Sequence, residues 1–325
     1  MTVPYHDGEL AIQTAAGEVE AAARIGRALG RLVVPGAVGF IESLSVAIVA
    51  SVDGDGQPWC SALIGPRGSF SVPEPGIVTL QRQARSSAAD PVWENLRHDR
   101  RAGLLFIDPG TRRRYRVNGR VQDADADPLT VEVAEAYPNC PKYIQRRYLR
   151  VVPLTPGEQD HVAVGRELTR RQQELLAAAD TLFLASGNPK GDLDASHRGG
   201  APGFVSVLDE RRLWIPDYTG NSMFNSLGNL RLDPRAGLLL LDLDRGESLQ
   251  LAGTVAIDLA ADPRATGGTK RAWTFTVHSS RQARLGARLR AELLEYSRHN
   301  PPLAGAVSGT RAAAADRSAI PDKAR

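Results

Sequence analysis

The sequence predicts a mainly β protein with flanking helices, built from two copies of one small domain. Three observations carry this. Residues 99–108, DRRAGLLFID, return 134 positions later as DPRAGLLLLD at residues 233–242. Short apolar runs recur with Gly-, Asp- and Pro-rich turns between them, the pattern of a small barrel or sandwich. Helical periodicity gathers at the ends of each copy and does not alternate with strands, which argues against a Rossmann-type sheet.

The repeat extends in both directions at nearly constant spacing. Glu94-Asn95-Leu96 lies opposite Gly228-Asn229-Leu230, and Val117 to Val121 opposite Leu251 to Val255. Ala50-Ser51 pairs with Ala185-Ser186 after one residue of slippage. Such a period is too long for a solenoid or propeller blade. A chain of 325 residues also carries a length prior of about two domains. The expected division is a helical extension over 1–36, copy one over 37–152, a linker and helix over 153–179, copy two over 180–302 and a disordered tail over 303–325.

In chain order, residues 9–30 form an Ala/Glu-rich helix with Val19, Ala22, Ala23, Leu29 and Leu32 on one stripe, stopped by Pro35. Ser45 to Ser51 and Pro58 to Ile64 are a hairpin about the turn Asp53-Gly54-Asp55-Gly56. Gly76 to Leu80 is a strand. Asp90 to His98 is a short helix with Asp90 as cap and Pro91 in its first turn. Ala102 to Ile107, Tyr115 to Val121 and Leu129 to Ala134 are strands, and Pro138 to Arg150 reads as a closing helix. Residues 151–164 are linker, and Leu168 to Ala179 a helix. Copy two repeats the order with strands at Thr181 to Ser186, Phe204 to Leu208 and Leu213 to Pro216, then a helix from Ser222 to Leu232. Strands at Ala236 to Asp242, Leu249 to Ile257 and Thr274 to Val277 follow. Ala283 to Ser297 reads as a final helix.

Composition excludes several classes. Apolar and charged fractions of 42% and 24% are ordinary for a globular chain. The net charge of +3 is small, so nucleic acid is not an expected partner. The run Arg112-Arg113-Arg114-Tyr115-Arg116 is read as the solvated face of a strand, with a phosphate or nucleic-acid patch as the alternative. No stretch approaches a membrane span, and no secretory signal opens the chain. Two cysteines make no disulfide framework, so the cytoplasm is the expected compartment. The six histidines show no metal-ligand spacing.

The chemistry concentrates in copy two. Ser196, Arg198, Gly199 and Gly200 form one cluster; Thr219, Gly220, Asn221, Ser222, Asn225, Ser226 and Asn229 form another, one strand later. Small hydroxyls, amides and an Arg at a loop opening a helix suit an anion. Ordinary turn and cap chemistry uses the same residues, and both readings stand on composition alone.

The ordered series SxRGG, PGF, VLD, RLxIPD, GN, NSLxNL and PRxGLLLL resembles the flavin-binding split β-barrel family related to pyridoxamine 5′-phosphate oxidase. The resemblance spans roughly residues 40–150 and 180–300. It implies a tandem pair of split β-barrels forming an intrachain pseudo-dimer, with FMN between the copies. By the same resemblance, Ser196, Arg198 and Gly199 match the first phosphate strand, Pro216, Asp217, Gly220 and Asn221 the second, and Ser226 and Asn229 the helix; His197 and Asn225 stand among them as further candidate cofactor contacts. Two departures stand out: His197 replaces a frequent Pro, and Met223 lies where a basic residue is common.

Copy one has Ser61-Ala62-Leu63-Ile64 opposite Ser196 to Gly199, with no Arg, and Arg85 to Pro91 opposite the second cluster. Its YPNCPKYIQRR, Tyr137 to Arg147, is similar to a Tyr-x-x-Cys-x-Lys stretch of the family and has no counterpart in copy two. One FMN per chain is therefore expected, its phosphate on copy two and its ring edged by Cys140, Lys142 and Arg146. Cys140 is either a thiol activated by nearby Lys142 and Arg146 or, the favoured reading, a small packing residue. Lys142 is read as a positive charge near flavin or substrate, His197 as a further charge or a turn residue, and Cys60 as core. The expected activity is a flavin-dependent oxidoreduction of a small-molecule substrate, with NADH or NADPH as possible reductant and no resident metal. A flavin or haem carrier or sensor, and a deazaflavin-dependent reductase, are the alternatives. A monomeric pseudo-dimer or a homodimer would suit it.

Overall fold

The computed structural model describes residues 4–87, 89–152, 162–189 and 191–302. Copy one opens with helix α3 (Pro35–Glu42) and holds strands β1 (Val46–Val52), β2 (Pro58–Ile64), β3 (Phe70–Glu74), β4 (Ile77–Leu80), β5 (Arg101–Asp108), β6 (Arg113–Val121) and β7 (Leu129–Pro138), with helix α4 (Val92–His98) before β5. Copy two holds β10 (Thr181–Gly187), β11 (Leu193–Gly199), β12 (Ser206–Val207), β13 (Arg212–Pro216), β14 (Arg235–Asp242), β15 (Glu247–Asp258) and β16 (Ala272–Arg284), with α6 (Asn225–Leu232) before β14.

The two sheets have the same order: β2-β1-β5-β6-β7-β4-β3 in copy one and β11-β10-β14-β15-β16-β13-β12 in copy two. Neither path closes on itself among the described residues, as in a split barrel. Each barrel has its own apolar core, around Phe70, Phe106 and Val117 in one and Leu213, Trp273 and Phe275 in the other. A third cluster, with Ile48, Ala62, Leu105, Phe183, Ala195 and Leu239, is shared between the copies.

The copies meet through the repeated segment itself. Gly103 and Gly237 hold the same place in the two RAGLL runs. A Cβ on Gly103 would sit 2.6 Å from the Leu193 carbonyl oxygen, and one on Gly237 2.6 Å from that of Pro58. Each copy thus presses a bare strand onto the edge strand of the other, an approach that only glycine permits.

The first hairpin follows the sequence closely. Gly56 takes φ +77°, and Asp53 Oδ1 accepts from the amides of Asp55 and Gln57 at 3.0 and 2.9 Å. Elsewhere the predicted elements shift. The single N-terminal helix is two, α1 (Asp7–Ala16) and α2 (Val19–Ile25), because Gly17 adopts φ +69° and caps the first. Pro35 does not stop a helix but starts α3 at its first turn, where its missing N–H costs nothing.

The predicted helix over Pro138 to Arg150 is a turn followed by strand β8 (Arg146–Val152). Pro138 and Pro141 disfavour helix for themselves and the residues before them, and Tyr143 takes φ +65°. The predicted helix over Ala283 to Ser297 is the end of β16 and strand β17 (Arg288–Glu295). β17 pairs antiparallel with β8, Leu289 opposite Val151. Each copy thus contributes its last strand to a two-stranded ribbon, and a non-local ladder overrides the helical propensity of RLRAELLE.

The segment taken as linker carries β9 (Val162–Gly165), which pairs with β16, followed by helix α5 (Arg170–Ala177). The tail over 303–325 and part of the linker, 153–161, lie outside the described residues. No described helix is long and apolar enough to cross a membrane.

Candidate functional site

β11 carries Ser196 and Arg198 on one face and His197 on the other, by strand alternation. The loop from Asp217 to Phe224 then leads into α6. Ser222 and Phe224 both have positive φ, 63° and 61°, and α6 begins three residues later than its sequence suggested. With no side-chain cap at Phe224, the first amides of α6 stay available, a setting that favours anions.

A cleft of about 90 Å³ opens here, walled by Ser196, His197, Arg198, Asp217, Gly220, Asn221, Asn225 and Ser226 of copy two and by Arg114, Arg116, Asn139 and Cys140 of copy one. An adjoining recess of about 50 Å³ adds Lys142, Gly199 and Pro216. Two predicted residues stand apart. Asn229 is buried behind the cleft, bonding Asp194 at 2.8 Å and the Ser186 carbonyl at 3.3 Å. Arg146 is exposed on β8, its Nε on the Gly110 carbonyl at 3.3 Å, because β8 carries it past the cleft.

Arg114 and Arg116 correct the reading of the arginine run. They lie on the β6 face that meets copy two, not on a solvated face or a nucleic-acid patch. Arg116 is 5% exposed. Its guanidinium donates to Tyr137 Oη at 2.8 Å and to Ser196 Oγ, and lies 3.4 Å from Asp194. Burial opposes its charge, but Tyr137, Asp194 and Glu135 more than offset that and hold it protonated. Arg114 Nε donates to the Cys140 carbonyl at 2.7 Å and its Nη1 to His197 Nδ1 at 3.2 Å. Burial and the neighbouring Arg116 and Arg198 lower its pKa to about 10, Cys140 opposing them. The alternation of Arg114, Arg116 and Asn118 with Tyr115 and Val117 was the available sequence signal. Its polar face covers a partner copy instead of water.

Arg198 lies 3.5 Å from Asp217, which also binds Arg271 at 3.1 Å. Burial depresses its pKa, Asp217 raises it, and Arg116 and Arg271 lower it again. The Nε atoms of Arg116 and Arg198 are buried without any hydrogen-bond partner. Ser196 and Ser226 hydroxyls lie 2.7 Å apart. The cleft therefore holds more donors and positive charge than acceptors, and an anion would supply what is missing.

His197 does not add a charge. Burial pushes its pKa well below the ordinary range, with Arg114, Arg198 and Arg147 adding to the effect. Arginine can only donate, so Nδ1 is the acceptor and the proton is assigned to Nε2. Met223 is explained by packing: it is 1% exposed, against Tyr5, Ala22 and Tyr137. Cys140 lines the cleft, half-buried, and Cys60 is core, its thiol pKa pushed well up by burial.

The same place in copy one is filled by the protein itself. Ser61 corresponds to Ser196, and its hydroxyl donates to Asp90 at 2.7 Å. The Asp90 carboxylate also accepts from the Val92 amide, from Ser86 and, across the interface, from Gln250 at 2.9 Å. Gln250 stands where Arg116 stands in copy one. An internal carboxylate thus occupies the place beside Ser61 and Gln250 in copy one.

The N-terminal helix buttresses α6. Gly8 and Gly228 meet face to face, a Cβ on Gly8 lying 2.2 Å from the Gly228 carbonyl. His6 and Glu9 form a capping box, and His6 Nε2 lies 3.0 Å from Asn229 Oδ1. No sequence spacing had singled out His6. Burial raises the pKa of Glu9 to about 8, with Asp194 and Glu135 adding to it and hydrogen bonds from His6 and Asn225 opposing it. Burial and Asp194 likewise raise Glu135 to about 7. Between the ordinary value of 4.5 and these values, the folded chain binds more protons than the unfolded chain. Stability then falls as pH rises through that window. Glu9→Gln is expected to leave the melting temperature unchanged near pH 5 and to raise it by roughly 3 °C or more near pH 8. A parallel decline in both proteins would refute the buried-acid assignment.

The model of the pyridoxamine 5′-phosphate oxidase family matches residues 35–158 and again 168–293. Among solved structures, a Clostridium acetobutylicum protein related to general stress protein 26 is 14% identical, covering 38% of this chain and 92% of its own, at a TM-score of 0.25. A FAD-binding protein of Mesorhizobium loti is 12% identical, covering 38% and 97%, at 0.26. An F420 reductase is 16% identical, covering 33% and 91%, at 0.24. No curated protein matches the chain. The two family matches follow the two barrels in order, and the chain belongs to the pyridoxamine 5′-phosphate oxidase family, with two copies of its domain in tandem.

Proposed function

We propose that the chain is an FMN-dependent oxidoreductase of a small molecule, with one flavin site per chain. The observation that carries this is the pair of buried, unpartnered Nε atoms on Arg116 and Arg198, one from each copy, beside Ser196, Ser226 and the start of α6. That donor set fits a phosphate monoester. The cleft is phosphate-sized and smaller than an ordinary small-ligand pocket, roughly 300–1,000 Å³, so seating a flavin ring requires the recess to open. Tyr143 and Tyr218, whose rings lie 5.3 Å apart across it, are the side chains that would part.

When bound, the flavin supplies the hydride or electron chemistry. This chain's residues bind and orient it. Arg198, Arg116, Ser196 and Ser226 hold the phosphate, while Arg114 and Lys142 place positive charge where a reduced ring or an anionic substrate would gain from it. Tyr143 Oη, bonded to the Thr219 carbonyl at 2.9 Å, ties the copy-one segment to the copy-two loop and helps exclude water. Asp90 closes the equivalent place in copy one, which supports a single site.

Arg198→Ala is expected to weaken FMN binding by about 10- to 100-fold, from loss of a charge-assisted contact, whereas Arg85→Ala changes it less than twofold. Flavin titration reads both, and undiminished binding by the Arg198 variant sinks the assignment. The spectrum of the purified protein separates the alternatives. Two visible flavin bands at one equivalent per chain support the proposal, with NADH or NADPH bleaching identifying a reductant. A colourless protein that turns over with a reduced deazaflavin favours that co-substrate. Haem is opposed by the His197 tautomer, because an iron ligand at Nε2 would need the proton moved to Nδ1 and the Arg114 bond broken.

A further inference from the structure

A larger cavity, of about 390 Å³, lies between the copies beneath the β8–β17 ribbon. Its walls are mainly apolar: Ile48 and Ile107 from copy one, Phe183 from copy two, and Ile144, Leu149 and Leu289 at the ribbon. The volume is that of a small-ligand pocket.

His197 is the wall common to this cavity and the anion cleft. Its Nδ1 edge is turned to Arg114, which lines the cleft and not the cavity. The opposite edge carries the Nε2 proton. His197 is 5% exposed, and Nε2 has no hydrogen-bond partner. It is the one buried side-chain nitrogen or oxygen on these walls left without a partner, among the described residues. Gln145 is satisfied by the Gly200 carbonyl at 2.9 Å and the Ser297 amide at 2.8 Å. Arg147 is paired with Asp180, whose other oxygen accepts from Thr181 at 2.8 Å. Asp242 and Asp244 also face the cavity.

One open donor calls for one acceptor. Apolar walls call for an apolar body. Three carboxylates with a single guanidinium among them disfavour an anion. We propose that this cavity is a second ligand site, which binds an uncharged aromatic ketone or aldehyde whose carbonyl oxygen accepts from His197 Nε2. The site stands independently of the flavin assignment.

The test is calorimetric titration of the full chain with 2-acetylnaphthalene and with 2-ethylnaphthalene, which lacks the acceptor, each with and without added FMN. The ketone is expected to bind about five- to tenfold more tightly than the hydrocarbon, the value of one hydrogen bond. His197→Phe is expected to abolish that preference. Ala291→Phe, which fills the cavity from β17, is expected to weaken both ligands by more than tenfold. FMN should not displace either. Absence of saturable binding, equal affinity for the two ligands, indifference to Ala291→Phe or competition by FMN would each overturn the proposal. Should Ala291→Phe fail to fold, the His197→Phe comparison still decides it. Failure of the chain to bind FMN leaves the ketone result readable, so the two assignments fail separately.

Discussion

Gly103→Val is expected to cost at least about 3 kcal/mol, toward or beyond the upper end for overpacked positions. A Cβ there would lie 2.6 Å from the Leu193 carbonyl oxygen and 2.9 Å from the Ala195 amide nitrogen. Both obstacles are backbone atoms of a paired edge strand, so no rotamer change relieves them. Gly237→Val should behave alike, its obstacles being the Pro58 carbonyl at 2.6 Å and the Cys60 amide at 3.0 Å. Gly39→Ala is the control: it lies within α3 with nothing within 4 Å of its Cβ, and alanine there should be neutral or stabilising by up to about 1 kcal/mol. Urea unfolding midpoints compare the three. Equal stability of Gly103→Val and the control would show that the copies do not press together at the repeat.

Arg116→Met is the second large effect expected, about 3–5 kcal/mol, the cost of removing one partner from a buried charged pair. Asp194 would keep the Asn118 amide at 2.6 Å and that of Asn229 at 2.8 Å, but with its guanidinium gone its charge is uncompensated. Tyr137 Oη and Ser196 Oγ would each lose a donor. A second change, Asp194→Asn, should restore part of the loss, since contacting partners are non-additive. The pseudo-equivalent Gln250→Met should cost less, about 1–3 kcal/mol, because a neutral donor is removed. Chemical denaturation of these three variants, and of Asp194→Asn alone to complete the cycle, measures this. Additive losses in the double variant would separate Arg116 from Asp194.

The same contacts explain what was legible. The hairpin at Asp53 to Gly56, the short helices before each RAGLL strand and the phosphate-like loop of copy two are encoded locally, by turn glycines, apolar periodicity and hydroxyl clusters. The segments read as closing helices were misread for one reason. RLRAELLE has helical composition, yet its backbone pairs with Arg146–Val152, 136 to 149 residues away. Local propensity carries no trace of that partner. The arginine run was misread for a related reason: strand alternation shows that Arg114 and Arg116 share a face, but not what covers it. Met223 looked like a missing cation because the N-terminal helices that bury it are also distant in sequence.

The duplication, the short-stranded barrel unit of each copy and the divergence of the copies in their hydroxyl- and amide-rich loops are all written in the order of the residues. How the copies line one cleft follows from the tertiary packing. It set Arg114 and Arg116 of copy one against Ser196 and Arg198 of copy two, and filled the matching place in copy one with Asp90. The physical reason lies at Gly103 and Gly237. Their missing side chains let the two sheets approach to backbone distance, and that approach buries charges whose partners lie in the other copy.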